Sequence, residues 1–164
     1  MRIITAAALA FLLLGLTACT KPLKEYSYPA WGFAVSFREP PMVTDTPAAA
    51  DGTAHTFQVR TVSNDRVLVV TVTDATGSDK TDDQLLSEVP QAAIVSSGGT
   101  VAGHAAVKAG NVAGREVTID RGAQPTERLR VFVANKKVYQ VIARSSPDDK
   151  EVTAFMDSFR LLGQ

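Results

Sequence analysis

A single cysteine, Cys19, follows a short apolar stretch near the start of the 164-residue chain, which has no second cysteine. The stretch covers residues 6–16 and follows the basic Arg2. Its 11 residues are too few to cross the hydrocarbon core of a bilayer, which takes ~20 residues in a helix. A basic start, an apolar centre and small residues before a cleavage site are typical of a signal peptide. Residues 1–18 are therefore predicted to be removed.

The residues around the cysteine, Leu16-Thr17-Ala18-Cys19, resemble the lipobox of bacterial lipoproteins. In that motif a signal peptidase cuts before the cysteine, which then carries lipid. The resemblance implies that Cys19 is acylated and holds the mature protein to a membrane, because several acyl chains anchor stably. Thr20 replaces the Asp that is common in lipoproteins retained at the inner membrane. An ordinary secretory signal or a buried core helix is the alternative.

The resemblance also implies a location. If the organism is Gram-negative, the absence of Asp at position 20 favours the outer membrane, with the domain facing the periplasm. Residues 19–25 are predicted to be a lipidated tether, and residues 26–164 a single globular domain of ordinary size. A fully extended tether from Cys19 to Tyr26 reaches only ~25 Å. We therefore expect the domain to lie close to the lipid.

Composition limits the classes of partner. Loss of Arg2 with the signal leaves 16 basic against 17 acidic side chains, a net charge of about −1. This near-neutral balance argues against a nucleic-acid partner, which usually shows as a basic stripe. Once Cys19 carries lipid, no thiol remains for a disulfide, a nucleophile or a metal site. The exported domain must then be stable through its core alone.

Alternating apolar residues and turn residues predict about seven strands. An extended piece at 26–29 precedes the first of them, and 39–53, rich in proline and glycine, is predicted to be a long loop. The stretch 67–70 is apolar on both faces, which indicates a central strand. A turn at 110–114 and a hairpin around Asn135-Lys136 are expected. The strands are predicted at 33–37, 55–62, 66–73, 101–108, 115–120, 128–134 and 138–143.

Two helices are predicted. The first, 81–95, begins with the capping-box sequence Thr81-Asp82-Asp83-Gln84 and contains Pro90, which should kink or split it. The second is expected to start with Ser146 as its cap and Pro147 at its first position. A core-facing stripe then recurs at helical spacing. It consists of Val152, Phe155, Met156 and Phe159.

Three segments carry a resemblance at the level of the fold. They are Trp31-Gly32-Phe33-Ala34-Val35-Ser36-Phe37, Gly114-Arg115-Glu116, and Val138-Tyr139-Gln140-Val141 together with Phe155-Met156-Asp157-Ser158-Phe159-Arg160-Leu161. With the order of elements, they resemble the Mog1/PsbP-like fold over about residues 26–162. The resemblance implies an α+β fold, with an antiparallel sheet of about seven strands flanked by two or more helices. Members include a photosystem subunit, a nuclear-transport regulator and bacterial lipoproteins, which share no reaction. It therefore implies an accessory or binding role by analogy only.

The sequence lacks the groupings that carry common catalytic chemistry. Its two histidines, His55 and His104, are far apart, whereas a zinc site needs three or four ligands. No Gly-x-Ser-x-Gly elbow and no phosphate-binding loop is present. The paired carboxylates at 82–83 and 148–149 lie at predicted helix starts, where the helix dipole explains them. We therefore expect a protein that is not an enzyme, with no metal and no cofactor.

Four charged residues, Arg115, Glu116, Arg128 and Arg130, fall on strands that are expected to be neighbours. One interpretation is charge pairing across strands on a solvated face. The other is a binding site in which Arg115 and Arg130 hold one anionic group of a ligand or partner, because guanidinium forks suit carboxylate and phosphate. Trp31 leaves a similar choice between packing at the sheet edge and contact with lipid headgroups beside the tether.

The expected function is that of a lipid-anchored accessory protein of the cell envelope. It would be non-enzymatic and would bind another envelope protein, whose identity the sequence does not give. The alternative is a small-molecule carrier with a pocket between the sheet and the helices.

Overall fold

The structure is a computed structural model that describes residues 21–146 and 149–163. The predicted signal peptide, Cys19 and Thr20 lie outside the described residues. So do Pro147 and Asp148 in front of the last helix.

Ten strands, two α-helices and one 3-10 turn make up the described chain. The helices are α1, Asp82–Ser97, and α2, Lys150–Ser158, and the 3-10 turn is Pro29–Trp31. The strands are β1 Lys24–Tyr28, β2 Phe33–Phe37, β3 Met42–Thr46, β4 Thr56–Val62, β5 Val67–Asp74, β6 Thr100–Ala109, β7 Val112–Asp120, β8 Thr126–Ala134, β9 Lys137–Ser145 and β10 Arg160–Leu161.

The strands form two antiparallel sheets. Seven of them pair in the order β3-β4-β5-β9-β8-β7-β6, and the other three in the order β1-β2-β10. Helix α1 packs against β7 and β8, on the face of the large sheet that carries Leu129 and Val131. Helix α2 and the small sheet cover the opposite face. The predicted α+β architecture, a large antiparallel sheet flanked by helices, is therefore confirmed.

The larger part of the core lies between the two sheets and is rich in aromatic rings. Phe33 stacks on Phe159 with ring centroids 5.9 Å apart, and Phe159 stacks on Phe132 at 5.4 Å. The predicted stripe of the last helix faces this core, with Phe155 fully buried and Met156 nearly so. Phe159 follows the end of α2 in an extended conformation and is buried as well. The apolar spacing thus identified the face of α2 correctly.

The antiparallel register assigns the strand ends to two opposite poles. Lys24 pairs with Phe37, and Arg38 next to it contacts Glu151, as does Arg66 at the β4–β5 turn. This end of the small sheet therefore lies beside the β4–β5 turn, the start of β8 and the start of β6. We call this end the tether pole, because the first described residue, Lys21, lies there. It comprises 21–24, 38–43, 60–67, 95–101, 120–126, 144–146 and 149–151. The other end is called the distal pole and comprises 28–33, 45–56, 73–83, 108–112 and 134–138.

Three strands lie outside the seven predicted ones: β1, which overlaps the extended piece predicted at 26–29, β3 and β10. Strand β1 begins at Lys24, so the last residues of the predicted tether 19–25 belong to the small sheet. Strand β3, Met42–Thr46, lies within the predicted loop 39–53 and pairs with β4 along its whole length. Its flanking prolines bound the strand without interrupting it, which is their usual place at a sheet edge. All five side chains of β3 are exposed, so the strand shows no apolar alternation.

The helix starts and the turn at Gly110 differ in detail from the prediction. Thr81 and Gln84 form the expected capping box, but α1 continues through Pro90 without a break. The cap of α2 is Asp149, whose carboxylate accepts hydrogen bonds from the backbone N–H groups of Glu151 and Val152, and Ser146 is not the cap. Ala109 pairs with Val112, which shortens the predicted turn 110–114 to two residues. The hairpin around Asn135-Lys136 is confirmed, with both residues at positive φ.

Candidate functional site

The structure does not bring Arg115 and Arg130 together. Arg115 pairs in register with Val131, whereas Arg130 pairs with Glu116. Directly opposed residues share one face of a sheet, and successive residues point to opposite faces. Arg115 therefore lies on the α1 face, where it is exposed, and Arg130 lies on the α2 face. The hypothesis that these two arginines hold one anion is wrong on geometric grounds.

The arginines of β8 are instead paired within the domain. Glu116 accepts hydrogen bonds from Arg130 and from Arg128, whose Nη2 lies 3.0 Å from a carboxylate oxygen of Glu116. Arg130 also donates to the carbonyl oxygen of Met156 at 2.8 Å and to Asp157 at 3.0 Å. The charge-pairing interpretation is the one that the contacts support. Arg130 fastens the end of α2 to the sheet.

The start of the described chain is held against the tether pole. The carbonyl oxygen of Lys21 accepts a hydrogen bond from Arg38, and the Lys21 ammonium lies 2.8 Å from a carboxylate oxygen of Glu39. Cys19, the predicted lipidation site, lies outside the described residues. No helix within those residues is long and apolar enough to cross a membrane.

Trp31 lies at the distal pole, away from the tether. Strand β1 carries the chain from Lys24 to Tyr28, four residue steps or ~13 Å, before the 3-10 turn that contains Trp31. Its neighbours are the start of β4 and the start of β9. The proposed contact of Trp31 with lipid headgroups beside the tether is therefore wrong, because β1 is a strand that separates the two. The other interpretation, packing at the edge of a sheet, agrees with its half-buried state.

Trp31 forms a compact cluster with four other side chains, which we call the Trp31 cluster: Trp31, Asp45, His55, Phe57 and Lys137. The indole stacks on Phe57 with ring centroids 5.0 Å apart, and the His55 ring meets it edge-on at 4.7 Å. The Lys137 ammonium lies 5.4 Å from the indole centroid, within range of a cation–π contact. Nε2 of His55 lies 2.6 Å from a carboxylate oxygen of Asp45.

Local sequence explains why the indole is held in this place. Pro29 occupies the first position of the 3-10 turn, and Gly32 ends it at φ 75°, a conformation that glycine adopts without strain. A β-carbon on Gly32 would lie 3.0 Å from the Tyr139 hydroxyl oxygen, so the glycine also makes room for that side chain. The Tyr139 hydroxyl donates a hydrogen bond to the carbonyl oxygen of Trp31 at 3.1 Å.

A cavity of about 420 Å³ opens next to the Trp31 cluster. The loop 48–54 forms one wall and the turn 74–78 the other, with His55 between them. The two walls are joined by a hydrogen bond from the Asp74 N–H to the His55 carbonyl oxygen at 2.9 Å. Hydrogen bonds from Thr76, with the nearby charges of Lys137 and His55, keep the pKa of Asp74 below its usual range. Asp74 therefore supplies a negative charge to this cavity at neutral pH.

A second cavity of about 350 Å³ adjoins the first and shares Ala54, Asp74, Ala75 and Ser78 with it. It lies between the start of α1 and the large sheet. Leu85, Val89 and Val138 give it an apolar wall, and Lys80 and Gln140 bring polar groups to it. The distal pole thus offers two adjoining cavities, one lined by His55 and Asp74 and the other by an apolar wall.

The site brings together groups that can bind another molecule. The His55–Asp45 pair orients an imidazole, yet no side-chain hydroxyl among the described residues hydrogen-bonds to that histidine. Among the same residues, no group of three or more His, Cys, Asp and Glu side chains is placed to hold a metal ion. The groups that converge here are a half-buried indole, a cation and several carboxylates, which suit a polar surface of another molecule.

Sequence reasoning missed most of this site. In the sequence, His55 is only one of two histidines too far apart for a zinc site, and Asp45, Lys137 and the cavity walls carry no signal of their own. Their contacts join segments that are far apart in sequence. The Lys137 ammonium, for example, donates a hydrogen bond to the carbonyl oxygen of Ala30, which lies 107 positions earlier in the chain. The one available signal was Trp31, the single tryptophan of the chain.

Comparisons with known proteins bear on the fold. Neither a protein-family profile nor a curated protein sequence matches the chain. The solution structure of cyanobacterial PsbP (CyanoP) from Synechocystis sp. PCC 6803 is similar, with a TM-score of 0.60 over 88% of this chain and 95% of that one. The sequences are 14% identical, so the likeness shows the fold alone. It confirms the predicted PsbP-like fold.

Proposed function

We propose that this protein is a lipid-anchored accessory protein of the cell envelope that binds another envelope protein through its distal pole. The observation that carries the proposal is the opposition of the two poles. The described chain begins at Lys21 on the tether pole, and the Trp31 cluster with its cavity lies on the distal pole. A domain held by lipid on Cys19 would therefore present the cavity to the space away from the membrane.

The distal pole has features that suit a protein partner. Tryptophan is among the residues that most often dominate binding energy at interfaces. Five carboxylates of this pole make no ion pair among the described residues, which favours a basic partner surface. They are Asp51, Asp74, Asp79, Asp82 and Asp83.

A non-enzymatic role is part of the proposal. Most of the remaining charged side chains are engaged with one another, as in the pairs of Glu116 with Arg128 and of Glu127 with Arg144. Such pairs stabilise a surface and leave few groups available for acid–base work. The periplasmic face of the outer membrane is the proposed location if the organism is Gram-negative, and neither a nucleic acid nor a cofactor is proposed.

Affinity purification of the lipidated protein from its native membrane tests the proposal. We expect one envelope protein to be recovered with the wild type and to be lost with Trp31→Ala. Trp31→Phe is the matched control, because a phenyl ring can keep the stack on Phe57 and should retain the partner. Recovery of the same protein with Trp31→Ala, at an unchanged melting temperature, would rule out the distal pole as the binding surface.

The anchor is tested separately. Mass spectrometry of the native protein should show a lipid-sized addition on a peptide that starts at Cys19. The Cys19→Ser variant should leave the membrane fraction. An unmodified N-terminus at another residue would contradict the anchor.

The alternative function, a small-molecule carrier, is favoured by one observation, the apolar wall that Leu85, Val89 and Val138 give to the 350 Å³ cavity. That volume lies within the range of small-molecule sites. Native mass spectrometry of the purified protein should then show a bound compound that Val89→Trp removes by filling the cavity. If the purified protein has a ligand-free mass and still recovers its protein partner, the result favours the accessory protein over the carrier.

A further inference from the structure

We propose that the tether pole is a membrane-contacting surface that lies against the headgroups of an anionic bilayer. The inference rests on the lipid anchor at Cys19 proposed above. Beyond the anchor, the inference specifies which end of the domain and which side chains contact the lipid.

The strongly exposed large apolar side chains of the described residues all lie at this pole. Met42 and Val43 begin β3, and Val62 ends β4. Val95 lies in the last turn of α1, and Val101 is the second residue of β6. Between 41% and 72% of each of these side chains is exposed. Apolar groups gathered at one end of a domain indicate a surface that contacts a protein or a membrane.

The spread of these side chains favours a membrane. Strands β3 and β6 are the two edges of the seven-stranded sheet. Six strand spacings of ~4.8 Å separate them, or ~29 Å. A bilayer surface is continuous and meets both edges at once, so one occupant accounts for all five side chains.

The unpaired charges of the described residues indicate that the tether pole contacts an anionic membrane surface. Four basic residues of the tether pole make no ion pair with any described residue: Lys24, Arg60, Arg121 and Lys150. Its described carboxylates are paired with bases, except Asp120, which accepts a hydrogen bond from the Gly122 N–H. At the distal pole the five unpaired carboxylates named above outnumber the three unpaired bases, Lys108, Lys136 and Lys137, whereas at the tether pole four unpaired bases outnumber the one carboxylate. Anionic lipid attracts basic residues near its surface, so this asymmetry turns the tether pole toward the bilayer.

The length of chain before the described residues keeps this pole near the lipid. Cys19 precedes Lys21 by two residues, which span at most ~7 Å when fully extended. Lys21 is itself held by Arg38 and Glu39. A domain tethered this closely has no room to turn its distal pole to the membrane.

Single labelling sites on the full lipidated protein test the inference. The lipid occupies the thiol of Cys19, so an introduced cysteine is the only one that reacts with a fluorophore. We choose Val62→Cys and Val95→Cys at the tether pole, with Asn111→Cys at the distal pole as the matched control. The proteins are reconstituted in vesicles of equal parts phosphatidylethanolamine and phosphatidylglycerol.

The two tether-pole probes should shift to shorter emission wavelength on the vesicles, lose quenching by aqueous iodide and gain quenching by spin-labelled lipid. The Asn111 probe should stay accessible to iodide. Vesicle-bound protein whose Val62 and Val95 probes stay as accessible as Asn111 would overturn the inference and leave the anchor intact. Dimers that protect the Val62 probe without vesicles would overturn it as well. Protein that does not float with vesicles at all lacks the anchor, and both proposals then fall.

A charge reversal tests the contribution of the basic residues. Arg60→Glu with Lys150→Glu should lower the lipid quenching of the Val62 probe on these vesicles. Lys108→Glu with Lys136→Glu makes the same change of charge at the distal pole and should leave the lipid quenching of the Val62 probe unchanged. Equal effects of the two double variants would show that net charge alone, and no oriented contact, governs the result.

Discussion

The hydroxyl of Tyr139 donates a hydrogen bond to the backbone carbonyl oxygen of Trp31 across 3.1 Å. Tyr139 lies on β9, in the middle of the large sheet, and Trp31 lies in the short turn between the first two strands of the small sheet. The bond therefore joins the two sheets at the distal pole. It also fixes the backbone of the residue at the centre of the candidate site.

Tyr139→Phe should lower the free energy of unfolding by about 1 kcal/mol, because it removes one partly buried hydrogen bond and leaves the ring in place. Urea unfolding followed by the fluorescence of the single tryptophan measures the change directly. Tyr26→Phe is the control, since its hydroxyl makes no hydrogen bond among the described residues. Similar losses in both variants would contradict a specific role for Tyr139.

Phe155→Ala should lower the free energy of unfolding by about 3–5 kcal/mol, because Phe155 is fully buried beneath α2. This is a large part of the ~5–15 kcal/mol that stabilises a typical domain. Lys150→Ala, on the same helix but exposed, should change it by less than about 0.5 kcal/mol. Thermal and urea unfolding measure both values, and equal small effects would mean that α2 is not docked on the core.

Arg130→Ala should destabilise the domain by about 1.5–3 kcal/mol, the range for hydrogen bonds to charged groups, because Arg130 joins Glu116 to the end of α2. Arg115→Ala should change stability by less than about 0.5 kcal/mol, since Arg115 is exposed on the opposite face. The amount of partner recovered per folded protein should be the same in both variants. A loss of partner with Arg115→Ala alone would reinstate that residue as a binding group.

Gly114→Ala should destabilise by about 1–3 kcal/mol or more, because an added methyl group overpacks a filled site. A β-carbon there would lie 2.4 Å from a Phe132 ring carbon and 2.6 Å from the Val131 carbonyl oxygen. Gly103→Ala is the matched control on the neighbouring strand, where a β-carbon meets no atom within 4 Å. A melting temperature equally unaffected by the two changes would show that Phe132 does not pack on Gly114.

The carboxyl group of Asp65 provides a test of pH dependence. Hydrogen bonds from Arg66 and Ser63 lower its pKa from 3.8 to about 2. Because the folded pKa lies below the unfolded one, this stabilisation is present above pH 3.8 and is lost as the pH falls through about 2. A carboxyl NMR titration should show that midpoint. Arg66→Gln should raise the titration midpoint of Asp65 more than Ser63→Ala does. An unchanged midpoint in Arg66→Gln would contradict the conclusion that Arg66 lowers the pKa of Asp65.

Much of the fold could be predicted from local patterns. The alternation in 128–134 and 138–143 marked the hairpin of β8 and β9, and the helical spacing from Val152 to Phe159 identified the buried face of α2. The capping box at Thr81 was also correct. These signals are readable because each lies within one element, where the residues that decide the structure are close in sequence.

The candidate site was not readable in this way, because the residues that form it come from separate elements. Sequence by itself determined most of the segments that become strands and helices, which of their faces are apolar, and that Cys19 is the only cysteine. Only the tertiary structure decided that Arg115 and Arg130 face opposite ways and that Trp31 lies far from the tether. The physical reason is the two-residue period of a strand. Pairing register, which is set by contacts between distant segments, decides which side chains share a face, and a shift of one residue reverses the result.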